Sequence, residues 1–123
     1  MKRFLTFTMM FLMLMLTACG GSEQTDDGKY VVGICQIATF DALDAATKGF
    51  RDALTEKLGD RVTFDEQNAA GDTATATTIC NNLVAENVDL ILANATPALQ
   101  SAAAATNTIP ILGTAITEYG VAL

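Results

Sequence analysis

Between Tyr30 and Ile116, four short apolar runs alternate with three stretches of helical period. No other feature limits the fold of this chain as strongly. The runs are YVVGICQ (Tyr30–Gln36), VTFDEQN (Val62–Asn68), DLILAN (Asp89–Asn94) and IPILGTAI (Ile109–Ile116). Each is short and carries β-branched or apolar residues, as strands do, and YVVGICQ and DLILAN are apolar enough for buried strands. Between the first two, Leu43, Ala46, Phe50, Leu54 and Leu58 recur at helical spacing, with Asp41 placed to cap and Gly59 to stop the helix. Ala76, Ile79, Cys80, Leu83 and Val84 mark a second helix over about 73–87, with Asp72 before it as a cap. A third opens at Thr96 as N-cap, with Pro97 at the first helical position.

The order βαβαβαβ predicts a Rossmann-like α/β fold: a parallel sheet flanked by helices, with right-handed crossovers. Such sheets bind ligands outside the carboxyl ends of their strands. That rule selects Thr39, Phe40 and Asp41 after the first strand, Asn94, Ala95 and Thr96 after the third, and Thr117 after the fourth. Phe40 can stack on a flat ligand, and hydroxyl or carboxylate groups can fix a polar end. The helix opening at Thr96 offers N–H groups suited to a carboxylate. Asn68, Gly71 and Asp72 read mainly as turn and cap residues. Glu118 reads as a solvated loop acid.

The first 28 residues are of another kind. Lys2 and Arg3 precede a mostly apolar run, Phe4 to Ala18, too short for a membrane span and suited to a signal peptide. Leu16-Thr17-Ala18-Cys19 resembles a bacterial lipobox, which implies lipidation at Cys19 and cleavage before it. The small polar stretch that follows suits a flexible tether. The division expected is therefore signal peptide 1–18, tether 19–28 and a folded segment 29–123, exported and lipid-anchored on the outer face of the cytoplasmic membrane.

Several classes are excluded. The formal charge is −7, and loss of the two basic residues Lys2 and Arg3 makes it −9. No basic cluster exists to neutralise phosphates, so nucleic acid is not an expected partner. There is no histidine, and Cys19, Cys35 and Cys80 lack metal-ligand spacing, so no metal and no cofactor is expected. No GxSxG, P-loop or GxGxxG sequence occurs, so the chain is not read as an enzyme. Cys35 and Cys80 read as free, buried thiols.

The segments KYVVGICQ, ALDAATKGFRDAL, VTFDEQNAAGDTATATTI, VDLILANATPALQSAAAAT and IPILGTAIT are similar to the first lobe of an ABC-transporter substrate-binding protein of the tryptophan/tyrosine type. The resemblance implies the first lobe of a two-lobe periplasmic-binding-protein fold, truncated here, since members are typically more than twice as long. It also implies a monomeric protein that closes on an amino acid or similar small solute, an aromatic one among the candidates, and docks on a membrane permease. Many members carry His-Pro where this chain has Phe40-Asp41. A lipid-anchored sensor without transport is the alternative from another class, and a non-functional fragment is a third.

Overall fold

A computed structural model describes residues 28–122. The expected signal segment, Cys19 and the tether up to residue 27 lie outside the described residues, as does Leu123. The elements are β1 (Tyr30–Gln36), α1 (Asp41–Leu58), a 3-10 turn (Gly59–Arg61), β2 (Val62–Asn68), α2 (Thr73–Ala85), β3 (Leu90–Asn94), α3 (Thr96–Ala105), β4 (Ile111–Thr114) and a short α4 (Tyr119–Ala122). All strand pairs are parallel, in the order β2-β1-β3-β4.

The two-residue period of the strands sorts the core into two layers. Val32, Ile34, Val62 and Leu92 are buried on one face, beneath Phe50, Leu54 and Leu58 of α1. Cys35, Ile91 and Ala93 point to the other face and meet Ala76, Ile79, Cys80 and Leu83 of α2 and Ala98, Leu99 and Ala102 of α3. The second layer is tighter because its helices carry small residues. Gly33 marks the closest approach: a Cβ there would lie 2.8 Å from the Leu83 methyls. The first layer is more open. The α1 stripe is only half-buried, and Leu112 of β4 is 48% exposed.

The helix ends correct three expectations. Phe40, not Asp41, is the N-cap residue of α1, and Asp41 begins the helix. Ala95, not Thr96, is the N-cap of α3, which puts Thr96 at the first helical position and Pro97 second. The second helix ends at Ala85, two residues short of the expected limit, because Asn87 turns at φ +56°. β4 is shorter than expected at both ends. The Ile109 N–H is taken by the Thr106 hydroxyl at 3.2 Å, Pro110 has no N–H, and Ala115 leaves the strand at φ +54°. The caps at Gly59 and Asp72 stand as read. Gly59 ends α1 at φ +56°, and Asp72 accepts from the Thr75 N–H at 2.6 Å. The Thr75 backbone N–H, then its hydroxyl, holds the Asp72 carboxyl below the usual carboxylate range.

Candidate functional site

Three chain crossings meet at the carboxyl ends of the strands: 37–40 after β1, Ala95 after β3, and 115–118 after β4. Backbone bonds join them. The Ile37 N–H donates to Asn94 O at 3.2 Å, and the Ala95 N–H donates to Thr114 O at 2.9 Å. The Thr117 N–H donates to the Thr96 hydroxyl at 3.4 Å. The sheet thus gathers Thr39, Phe40, Asp41, Ala95, Thr96 and Thr117 on one rim.

Besides the four-residue α4, two longer helices, α1 and α3, start on this rim, and neither has a side-chain cap. Phe40 and Ala95 make no side-chain cap hydrogen bond. A helix start leaves up to four N–H groups without intrahelical partners, with the positive end of the helix dipole behind them. At α3 Pro97 removes one of those donors. Neither N-cap side chain has an acceptor to satisfy the rest, so an arriving carboxylate meets no competitor from that position.

Ala95 sits at φ +86°, ψ +159°, a region almost confined to glycine. An alanine held there costs on the order of 1–3 kcal/mol, and such strain collects at sites that bind. Here it lets the chain leave β3 and start α3 within one residue. Phe40 is 65% exposed, an aromatic ring standing on the rim rather than in the core. Thr39 and Asp41 are also exposed. Thr39 Oγ accepts from Asn68 Nδ2 at 3.2 Å, and Asn68 Oδ1 accepts from the Ala70 N–H at 2.8 Å. Asn68 therefore makes its turn and also positions Thr39, a contact between residues 29 apart in sequence that no local signal announces.

Asn94 does not reach the open rim. It is fully buried on the α1 face, where Nδ2 lies 2.8 Å from Leu43 O, 2.9 Å from Thr47 Oγ and 3.3 Å from Gln36 Oε1. Thr47 donates to Gln36 Oε1 at 2.7 Å. Gln36 Nε2 donates to Asp44 Oδ1 at 2.6 Å and to Ala38 O at 2.8 Å. This network fastens the first turns of α1 to β1 and β3, and so fixes where Phe40 stands. Sequence reasoning missed Gln36, Asp44 and Thr47. The signal was present in the strand period, which puts Gln36 on the face of Val32 and Ile34, and Asn94 on the face of Leu92.

A concavity of about 500 Å³ lies at the opposite end of the strands, lined by Tyr30, Val32, Leu54, Leu58, Asp89 and Leu90. Its walls are nearly all apolar. Its one carboxylate, Asp89, already accepts from the Val31 N–H at 2.7 Å. It offers little to a zwitterion, whereas the rim offers N–H groups, hydroxyls and an aromatic face.

Known proteins are similar to this chain in sequence and fold. The chain is 38% identical to a tyrosine-binding protein of Clostridioides difficile (strain R20291), over 85% of this chain and 34% of that protein. It therefore spans about a third of the length of the curated relative it matches. Among solved structures, the ligand-free, open form of a substrate-binding protein with adhesive properties from Clostridium difficile superposes with a TM-score of 0.73 at 38% identity, over 76% of this chain and 32% of that one. A conserved domain protein from Vibrio cholerae gives 0.70 at 39% identity, over 73% and 31%. An ABC domain in complex with L-Trp from Streptococcus pneumonia gives 0.69 at 36%, again over 73% and 31%. The model of the family described as ABC transporter substrate binding protein matches residues 31–122, from the second residue of β1 to the end of α4. The chain belongs to the ABC transporter substrate-binding protein family.

Proposed function

We propose that this chain forms one half of a cleft that binds an amino acid, an aromatic one by preference, for delivery to an ABC permease. The observation that carries the reading is the rim itself: two helix starts without side-chain caps beside an exposed Phe40. The N–H groups of α1 and α3 receive the carboxylate. The Phe40 ring stacks on the ligand's side chain. Thr39, Asp41, Thr96 and Thr117 offer hydroxyls and a charge to its polar end, and Asn94 acts beneath them as a support. A second lobe supplies the facing half and closes over the solute. Tyrosine and tryptophan named for the relatives favour the aromatic class.

Binding of this kind needs affinity and closure, with no group to lower a barrier. In this reading residues 1–18 direct export and are removed, Cys19 takes the lipid, and 19–28 tether the lobe outside the membrane. The permease and the monomeric state belong to the same proposal.

Calorimetric titration tests the reading on the chain with whatever coding sequence follows it in its gene. L-tyrosine, L-tryptophan, L-alanine and glucose are compared. Saturable binding of an aromatic amino acid, favoured at least about tenfold over alanine, or about 1.4 kcal/mol, is expected. Equal binding of alanine or glucose, or none by a folded protein, overturns it.

A further inference from the structure

Asn68 closes β2, and the turn after it is stitched to the exit of β1. The Ala69 N–H donates to Gln36 O at 2.9 Å, and the Gly71 N–H donates to Ile37 O at 2.7 Å. Gln36 and Asn68 are register partners at the ends of their strands. Ala70 at φ +53° and Gly71 at φ +85° then turn the chain toward α2. Asn68 thus stands beside Thr39 on a frame of main-chain bonds. Its amide fits this frame only one way round. Oδ1 lies 2.8 Å from the Ala70 nitrogen, which can only donate, so Nδ2 is the atom that faces Thr39 Oγ at 3.2 Å. Nδ2 can only donate as well, so the Thr39 oxygen accepts. A hydroxyl has one proton and two lone pairs. With one lone pair taken by Asn68, the Thr39 proton points elsewhere, and no group among the described residues accepts it. The second Nδ2 hydrogen of Asn68 also has no acceptor among the described residues. This corner of the rim therefore turns donors outward, beside the start of α1, which has no side-chain cap.

We infer that Asn68 is a positioning residue that sets the sense of the Thr39 hydroxyl, making it a donor that reads a carboxylate oxygen of the bound amino acid. The inference rests on the amino-acid reading above and deepens it. Thr39 is assigned to the carboxylate end of the solute and not to its ammonium end, which brings only donors. A hydrogen bond to a charged acceptor is roughly twice as strong as one between neutral groups. A donor aimed in advance also needs no reordering when the solute arrives. Across the rim Thr96 is arranged in the same sense. Its oxygen accepts from the Thr117 N–H at 3.4 Å, which leaves its proton for an incoming acceptor. Asn68 itself acts through Thr39. Its place at the end of the edge strand β2 sets it outside the three crossings that form the rim.

The chain, with whatever coding sequence follows it in its gene, is titrated with L-tyrosine or L-tryptophan, whichever it binds more tightly. The matching amine without a carboxylate, tyramine or tryptamine, is titrated beside it. Asn68→Asp reverses the hydrogen bond. One carboxylate oxygen keeps the Ala70 N–H, so the turn is retained, and the other accepts from Thr39 and draws its proton away from the solute. Affinity for the amino acid is expected to fall about tenfold, and affinity for the amine is expected not to fall. Thr39→Val removes the hydroxyl. In that background Asn68→Asp is expected to change amino-acid affinity by no more than about twofold, which separates the sense of the hydroxyl from the added charge. Thr39→Ser keeps the hydroxyl and is expected to keep the full sensitivity to Asn68→Asp. Equal losses for amino acid and amine overturn the inference, as does an unchanged amino-acid affinity in Asn68→Asp. So does a loss of the same size in the Thr39→Val background. Each of those results leaves the amino-acid reading standing. A folded parent that binds no aromatic amino acid overturns that reading, and the inference with it.

Discussion

The side-chain amide of Asn94 donates to the main-chain carbonyl of Leu43 across 2.8 Å, tying the end of β3 to the first turn of α1. The same nitrogen lies near Thr47 and Gln36, so one buried group holds together three elements that build the rim. Asn94→Ala leaves the Leu43 carbonyl without this donor and removes a neighbour from the Gln36–Thr47 pair. The cost expected is about 1–3 kcal/mol, read as a lower denaturant midpoint at unchanged slope. Ligand affinity falls as well, because α1 loses its seat.

Ala95 predicts the opposite sign. Glycine adopts φ +86° without a Cβ penalty, so Ala95→Gly relieves strain that alanine stores. The variant is expected to gain up to about 1 kcal/mol of stability, less the entropy a glycine adds to the unfolded chain. Its Tm, measured beside the parent, checks this. A fall by several degrees would mean that the Ala95 methyl makes a contact worth more than the strain.

Phe40 separates stability from binding. The residue is 65% exposed and its side chain makes no cap bond, so Phe40→Ala changes stability by no more than about 0.5 kcal/mol. Affinity for an aromatic amino acid falls about tenfold or more, close to 1.4 kcal/mol. Thermal melts and titrations of the same preparations give both numbers.

Asp72 sets an acid limb. Its folded pKa lies below the ordinary value of 3.8, so its contribution is present above that value and is lost as pH falls through the folded one. Asp72→Asn keeps the acceptor for the Thr75 N–H and removes the titration. Tm against pH is therefore expected to fall less steeply below about pH 4 in Asp72→Asn than in the parent.

Much of this was legible in the sequence, and the reasons differ by element. The limits of β1 follow from its apolar, β-branched run, and Gly59 and Asp72 carry the end signals that the structure uses. The starts of α1 and α3 were misplaced by one residue. Phenylalanine and alanine have no capping chemistry to read, and in each case the next residue, Asp41 or Thr96, does. β4 was drawn too long because Ile109 and Ile116 share its composition. A proline and a positive-φ alanine end the ladder inside them. At the rim, position relative to the strand ends was readable and side-chain direction was not read. Asn94 has the right address, yet the strand period turns it inward beside Gln36. The Thr39–Asn68 contact depends on the register of β1 on β2, which only the fold supplies.

Amide hydrogen exchange of the ligand-bound protein tests the central claim most directly, because it locates binding without altering a residue. With saturating L-tyrosine or L-tryptophan, added protection is predicted in peptides covering 37–43, 94–99 and 114–119, with none around Tyr30, Leu54, Leu58 and Leu90 at the far end of the sheet. Protection confined to that far groove, or absent from all three rim segments in a protein that binds the amino acid, would contradict the assignment of the rim as the binding half-cleft.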